Sequence, residues 1–263
     1  MDPSTFEEAQ RSELSTEEFF TTSSTYLHMN RTRSEFGNQL VRQALNHAID
    51  RDAILNAVLL GYGHASSQYY AAGFPAGYVE GMDDRYPYDP DKARELLAEA
   101  GLADGFSFDL LVPNLVTSQG IAQIVQSQLA EIGVEVNFIP VDASQTASTF
   151  FNDKIGDMVV GGSPGRTDPA QLVQLFFHKD ANSNPGGHTI PEVDALYEEA
   201  LIPRPDDERL PILQDLMTAV IESAGEIWLI QPTTLLAGTD EIAGFRWSLR
   251  GQPDFRGTGI TTN

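Results

Sequence analysis

Apolar residues return every three or four positions through residues 41–61, first as Val41, Ala44, Leu45, Ala48 and Ile49, then as Ile54, Ala57 and Val58. That spacing predicts two consecutive amphipathic helices. Asp50 interrupts the stripe and is placed to cap the second helix, and Gly61 suits the left-handed turn that ends one. Just before them, residues 25–30 alternate Tyr26, His28 and Asn30 against Leu27 and Met29, which predicts a short strand. Periodicity then disappears over residues 62–88, a Gly-, Tyr- and Pro-rich stretch that predicts a long irregular crossing.

The pattern resumes at Asp89-Pro90, an N-cap followed by proline at the first helical position. Ala93, Leu96, Leu97 and Ala100 form the stripe of that helix, and Gly101 ends it. Residues 106–112 predict a strand stopped by Pro113-Asn114. A helix over 118–132 carries Ile121, Ile124, Val125, Leu129 and Ile132 on one face, and a strand over 134–139 alternates Val134, Val136 and Phe138. Strand, helix, strand is a βαβ unit, expected to cross over right-handed. Residues 157–161 predict a short buried strand that runs into the loop 162–167, and Asp168-Pro169 opens another helix. A loop over 179–190, a helix from Pro191, a long helix over about 208–224 and a buried strand over 227–230 follow. Residues 1–22 read as a loose lead-in or a fragment of a preceding element, and residues 233–263 show little periodicity. The alternation of helical and strand patterns places the chain in the α/β class.

Composition narrows the functions. The net charge is −22, and lysine occurs only at positions 92, 154 and 179. So acidic a surface repels phosphate backbones, which argues against a nucleic-acid partner. It also suits a high-salt medium, where repulsion between carboxylates is screened. Cysteine is absent, which excludes thiol chemistry, disulfides and cysteine-ligated zinc. No apolar run reaches the roughly 18 residues of a membrane span, and the acidic opening residues carry no export signal. The five histidines show no metal-ligand spacing, so neither metal nor cofactor is expected.

The chemistry-bearing positions lie beyond strand ends, where ligands bind in open α/β sheets. Asn114 follows one strand. Gly162, Ser163 and Arg166 lie in the loop after another, ahead of a helix start whose free N–H groups favour an anion or a carbonyl. Arg166 offers a charge-assisted contact, although a solvated loop arginine or a cap on a neighbour accounts for it equally well. Tyr69 and Tyr70 are candidates to stack on a sugar or an apolar side chain, with packing as the simpler role. Residues 161–165 also match G-x-S-x-G, with Asp168 and His178 downstream in hydrolase order. In such an elbow the residue after the serine donates its N–H to the oxyanion. Here that residue is Pro164, which has none, so a serine hydrolase using Ser163 is only the alternative reading, and no enzyme activity is expected.

Several stretches resemble one family. V-R-Q-A-L-x-x-A-I-D-R-x-A-I-L from Val41, Y-D-P-D-K-A-R-E-L-L-A-E-A-G from Tyr88, L-A-E-I-G-V-E-V from Leu129, T-D-P-A-Q-L-V-Q-L-F-F from Thr167 and E-V-D-A-L-Y-E-E-A from Glu192 are similar to motifs of the family 5 extracellular solute-binding proteins of ABC importers. The resemblance implies a mixed-sheet α/β lobe of a type II periplasmic-binding-protein-like fold, of the cluster C kind. Residues 1–23 would be a polar lead-in, 24–232 the second ligand-binding lobe, and 233–263 a segment returning to the first lobe. The match would make this chain the C-terminal half of a receptor, with the N-terminal half missing and permease subunits as further partners. The parent protein would be extracytoplasmic and would capture a peptide, or else a sugar or a metal chelate. Dipeptide-binding members resemble a pattern with an Arg near position 112 or 114 and an Asp near 164–165. Val112, Asn114, Pro164 and Gly165 stand there instead, which disfavours a dipeptide zwitterion held by charges. An apolar cleft face that binds another protein is the third reading.

Overall fold

The computed structural model describes residues 1–184, 187–249 and 252–260. Residues 185–186 of the predicted loop, and 250–251 and 261–263 of the tail, lie outside the described residues. The elements run α1 (Pro3–Gln10), β1 (Ser15–Phe19), β2 (Ser24–Met29), α2 (Ser34–Gly37), α3 (Gln39–His47), α4 (Arg51–Leu59), β3 (Gly63–Ala65), α5 (Pro90–Glu99), β4 (Phe106–Pro113), α6 (Val116–Ala130) and β5 (Val134–Val141). After a π-helical turn at Ser148–Asn152 come β6 (Met158–Ser163), α7 (Pro169–Phe176), α8 (Pro191–Ala200), α9 (Asp206–Glu222), β7 (Glu226–Pro232) and β8 (Thr234–Gly238). Four two-residue strands close the chain: β9 (Ile242–Ala243), β10 (Arg246–Trp247), β11 (Pro253–Asp254) and β12 (Gly259–Ile260).

Six strands form one mixed sheet in the order β3-β7-β2-β6-β4-β5. β4 is parallel to β5, from Phe106 opposite Val134 to Pro113 opposite Val141, and parallel to β6. β2 is antiparallel to both β6 and β7. Successive side chains of a strand face opposite sides, and the sequence exploits this. Leu27 and Met29 of β2 and Ile227 and Leu229 of β7 join the core built with α3, α4, α5 and α6. Tyr26 and Trp228 face the other core, with α7, α8 and α9. The sheet is therefore covered on both faces, and β7, buried along almost its whole length, is its most enclosed strand.

The predicted caps form. Asp50, Asp89 and Asp168 accept from Ala53, Lys92 and Ala170 backbone N–H groups, each at 2.9 Å. α4 ends with Leu60 and Gly61 both at positive φ, so the left-handed turn begins one residue before the glycine. Gly105, φ +76°, brings the start of β4 so close to Gly133 that a Cβ there would collide with the Gly133 carbonyl. α6 begins at Val116, two residues before the predicted start, and no side chain caps it.

Three features depart from the sequence reading. Residues 1–22 are not loose, because α1 is capped by Asp2 and β1 pairs antiparallel with β8. The crossing 62–88 donates β3 to the sheet edge beside β7. Within the stretch 41–61, polar residues enter the core: Arg42, Asn46 and Arg51 are all buried. The Arg51 guanidinium donates to the carbonyls of Trp228 (2.8 Å), Asn46 (3.1 Å), Ile49 (3.3 Å) and Tyr86 (3.0 Å), and to Asn46 Oδ1 (2.8 Å). Arg42 reaches the carbonyls of Ser223, Phe36 and Gly37. Burial lowers both guanidinium pKa values to about 10, so both stay charged at neutral pH.

Two measurements test this account. Arg51→Met keeps the bulk but strands five acceptors, and is expected to cost about 3 kcal/mol or more in urea unfolding; Arg51→Lys, with a point charge in place of the planar fork, should recover only part of that loss. The thermal midpoint should rise as potassium chloride increases from about 0.1 M to about 2 M, because screening relieves repulsion among the exposed carboxylates; a flat profile would show that this repulsion costs the fold little.

Candidate functional site

β4, β5 and β6 all end on one edge of the sheet, at Pro113, Val141 and Ser163. The antiparallel partner β2 begins there, with Ser24 opposite Ser163, and β7 ends there at Pro232. The short links 20–23 and 233 that join β1 to β2 and β7 to β8 therefore emerge on this same edge. A groove of about 450 Å³ opens along it, between the first turn of α6, the π-helical turn and the end of β6. Thr117, Ser118 and Ile121 line it from α6, Phe150 and Phe151 from the turn, and Val160, Gly161 and Gly162 from β6.

The sequence-predicted residues divide around this groove. Gly162 lines it, and a Cβ built there would have only the Ser24 carbonyl within 4 Å, at 3.9 Å. Gly161 serves packing instead, because a Cβ there would strike the Tyr26 ring. Asn114 is exposed on the edge, but its Oδ1 accepts from Ala143 N–H at 2.8 Å and its own N–H donates to Val141 at 2.9 Å. It ties the β4 and β5 ends together. Arg166 is half-buried, donates to the Pro164 carbonyl at 3.3 Å, and has no carboxylate partner among the described residues.

Tyr69 and Tyr70 are corrections. Neither is accessible to solvent, so neither can stack on a ligand as expected. Their rings pack edge to face on each other, Tyr69 also packs on Trp228, and Tyr70 stacks on Phe74. The Tyr69 hydroxyl lies 3.2 Å from both Ser163 Oγ and the Pro164 carbonyl, and so braces the loop from inside. Burial pushes the pKa values of Tyr26, Tyr69 and Tyr70 above the usual phenol range, which keeps all three protonated at neutral pH.

Ser163 is likewise engaged. It is buried, and its Oγ donates to the Pro164 carbonyl at 3.0 Å. Asp168 caps α7 and takes both guanidinium contacts from Arg209, at 3.1 and 2.9 Å. His178 Nδ1 accepts from Asp180 N–H. The hydrolase constellation is thus not assembled. The same cap corrects a second expectation, because the α7 start is already occupied by its own carboxylate. The uncapped helix start on this edge belongs to α6, with Leu115 as its N-cap residue. Sequence reasoning missed it because that start was placed two residues too late. The π-helical turn that supplies Phe150 and Phe151 gave no periodic signal.

A second hollow, about 670 Å³, lies between β1, β8 and the closing strands. Ile242, Phe255 and Ile260 around it are exposed.

Comparison with known proteins gives a consistent picture. The model of the bacterial extracellular solute-binding proteins, family 5 (middle), matches residues 2–184. A glutathione-binding protein, GsiB of Pectobacterium atrosepticum, is 32% identical over 238 residues, which covers 84% of this chain and 44% of that protein. The structure of HbpA2 from Haemophilus parasuis superposes with a TM-score of 0.85 at 23% identity, over 98% of this chain and 52% of the other. A dipeptide-binding protein from Pseudoalteromonas sp. SM9913 in complex with Met-Leu gives a TM-score of 0.81 at 24% identity, over 96% and 51%. The chain thus spans about half the length of the relatives it matches, and its lobe has the type II periplasmic-binding-protein fold.

Tyr69→Phe removes the hydroxyl beneath the loop and is expected to cost about 1 kcal/mol. Amide hydrogen exchange should speed up selectively over residues 162–167; an unchanged rate there would show that the brace does not hold the loop.

Proposed function

This chain belongs to the bacterial extracellular solute-binding proteins of family 5, and from that premise we propose that it supplies one jaw of a two-lobed receptor that hands a peptide-like solute to an ABC importer. The single observation that carries the reading is the convergence on one sheet edge. The strand ends, the groove, the uncapped start of α6, Arg166 and both links out of the sheet all lie along it. A solute bridging this edge and an opposing lobe would shift the open–closed equilibrium in proportion to its extra contacts in the closed form.

Residues 24–232 form this jaw. β1 and β8 pair from Ser15 opposite Gly238 to Phe19 opposite Thr234, so the two chain crossings run side by side as a hinge ribbon. Residues 233–263 belong to the opposing lobe, and the exposed apolar hollow on β1 and β8 is the face against which the remainder of that lobe packs. The solute class is peptide, in keeping with the glutathione-binding and Met-Leu-binding relatives. The parent receptor is extracytoplasmic, with the permease subunits as its partners, and performs no chemistry on its solute.

Native mass spectrometry of the complete receptor is expected to show a retained small peptide. Arg166→Ala should weaken retention about tenfold, the loss of one charge-assisted contact to a carbonyl or carboxylate. Retention that is unaffected by Arg166→Ala would remove the loop from the site, and turnover of an ester that vanishes in Ser163→Ala would overturn the binding reading.

A further inference from the structure

We infer that His28 is a positioning residue behind the cleft, which holds the π-helical turn while its ring is neutral and loosens it on taking up a proton, so that acid releases the solute; this rests on the receptor reading above and names the regulation of the same site. His28 lies in β2 and is fully buried. Its ring packs edge to face on Phe150 and Phe151 of the turn, with centroids 5.6 and 5.3 Å away, and lies tilted on Phe176 of α7 at 5.5 Å. Phe150 and Phe151 line the groove, so the imidazole stands directly behind that wall. On its other side is a buried ion pair. His28 Nδ1 is 2.6 Å from Glu226 Oε1, and Arg31 Nη1 is 2.9 Å from the same oxygen.

With a neutral imidazole, one carboxylate balances one guanidinium. A proton on His28 adds a second positive charge, and among the described residues neither cation has a carboxylate partner other than Glu226. The surrounding elements supply no further anion. β6 places Val159 opposite His28. β2 adds Tyr26, whose hydroxyl is kept protonated by burial and by the Glu226 charge. α3 contributes the Asn46 amide, which donates to the Glu226 carbonyl. The segment before α8 contributes Asn184, an acceptor for Arg31, and His188, whose pKa is lowered by burial and by the Arg31 and Arg42 charges. An imidazolium also carries N–H on both nitrogens, and His28 Nε2 has no hydrogen-bond acceptor among the described residues. A buried charge and donor left unpaired are costly. The π-helical turn is the element that can yield. β2 is paired along both edges, whereas the turn is five residues long and its end is held by single bonds such as Asp153 N–H to the Ser148 carbonyl at 3.0 Å.

The test is aromatic carbon-13 NMR of the chain from about pH 8 to about pH 5, the range in which histidine changes charge. The Phe150 and Phe151 ring signals should move in one step together with those of His28. His28→Gln keeps an amide donor toward Glu226 and should leave both phenylalanine signals flat, whereas His188→Gln should preserve the step. In the complete receptor, native mass spectrometry with an equimolar mixture of tripeptides as the probe should show retention about tenfold weaker at the acid end, and no such loss in His28→Gln. Phenylalanine signals that stay still in the unmodified chain, or a step that survives His28→Gln, overturn the inference. Ring movement with retention independent of pH removes His28 from control of the site and leaves the receptor reading standing. No tripeptide retained at any pH overturns the receptor reading and the inference with it.

Discussion

The structure depends on a buried guanidinium that makes no ion pair among the described residues, with Asp84 acting on it only at longer range. Arg51 lies at the first position of α4 and spends its donors on five acceptors from α3, the segment before α4, the 62–88 crossing and β7. A buried, unpaired cation is costly. It is tolerable here because converging carbonyl dipoles replace the lost water. Arg42 does the same for the chain around α2 and the end of α9. Arg31, also fully buried, joins Glu226 at 2.9 Å and the carbonyls of Gly225 and Phe176. These three side chains satisfy carbonyls at helix ends, in connecting segments and in β7 that lie buried around them.

That constraint reaches the cleft by short steps. Arg51 fixes the Trp228 carbonyl, and the Trp228 ring packs on Tyr26 and Tyr69. Tyr26 requires Gly161 to lack a side chain, and Tyr69 reaches Ser163 and Pro164. The end of β6 and the loop that carries Arg166 are therefore held from the protein interior. Aromatic residues that invite a reading as stacking platforms act here as the support beneath the site.

Much of this was legible in the residues. The Asp-Pro starts at 89–90 and 168–169, the capped joint at Asp50 and the βαβ unit from 106 to 139 follow from capping and periodicity, and each formed near its predicted place. The rest depended on long-range contacts that periodicity does not register. β1 has no partner until β8, more than 200 residues later. β3 is three residues long and is a strand only because β7 lies beside it. Within the family-like stretch 41–61 the apolar stripe was visible, but the role of Arg42, Asn46 and Arg51 was not, because a charged residue is ordinarily read as surface. Of the candidate site residues, Gly162 lines the groove and Arg166 is half-buried in the loop after β6, whereas Tyr69 and Tyr70 are core.

The central claim is that the solute meets this lobe along the edge where β4, β5 and β6 end. Hydrogen–deuterium exchange of the complete receptor, with and without a saturating peptide, tests it most directly. The account predicts ligand-dependent protection over residues 113–118, 143–151 and 161–167, together with altered exchange in the β1–β8 ribbon as the lobes close. Protection concentrated instead around residues 49–65 and 83–88, away from the groove, with the three strand-end segments unchanged, would contradict it.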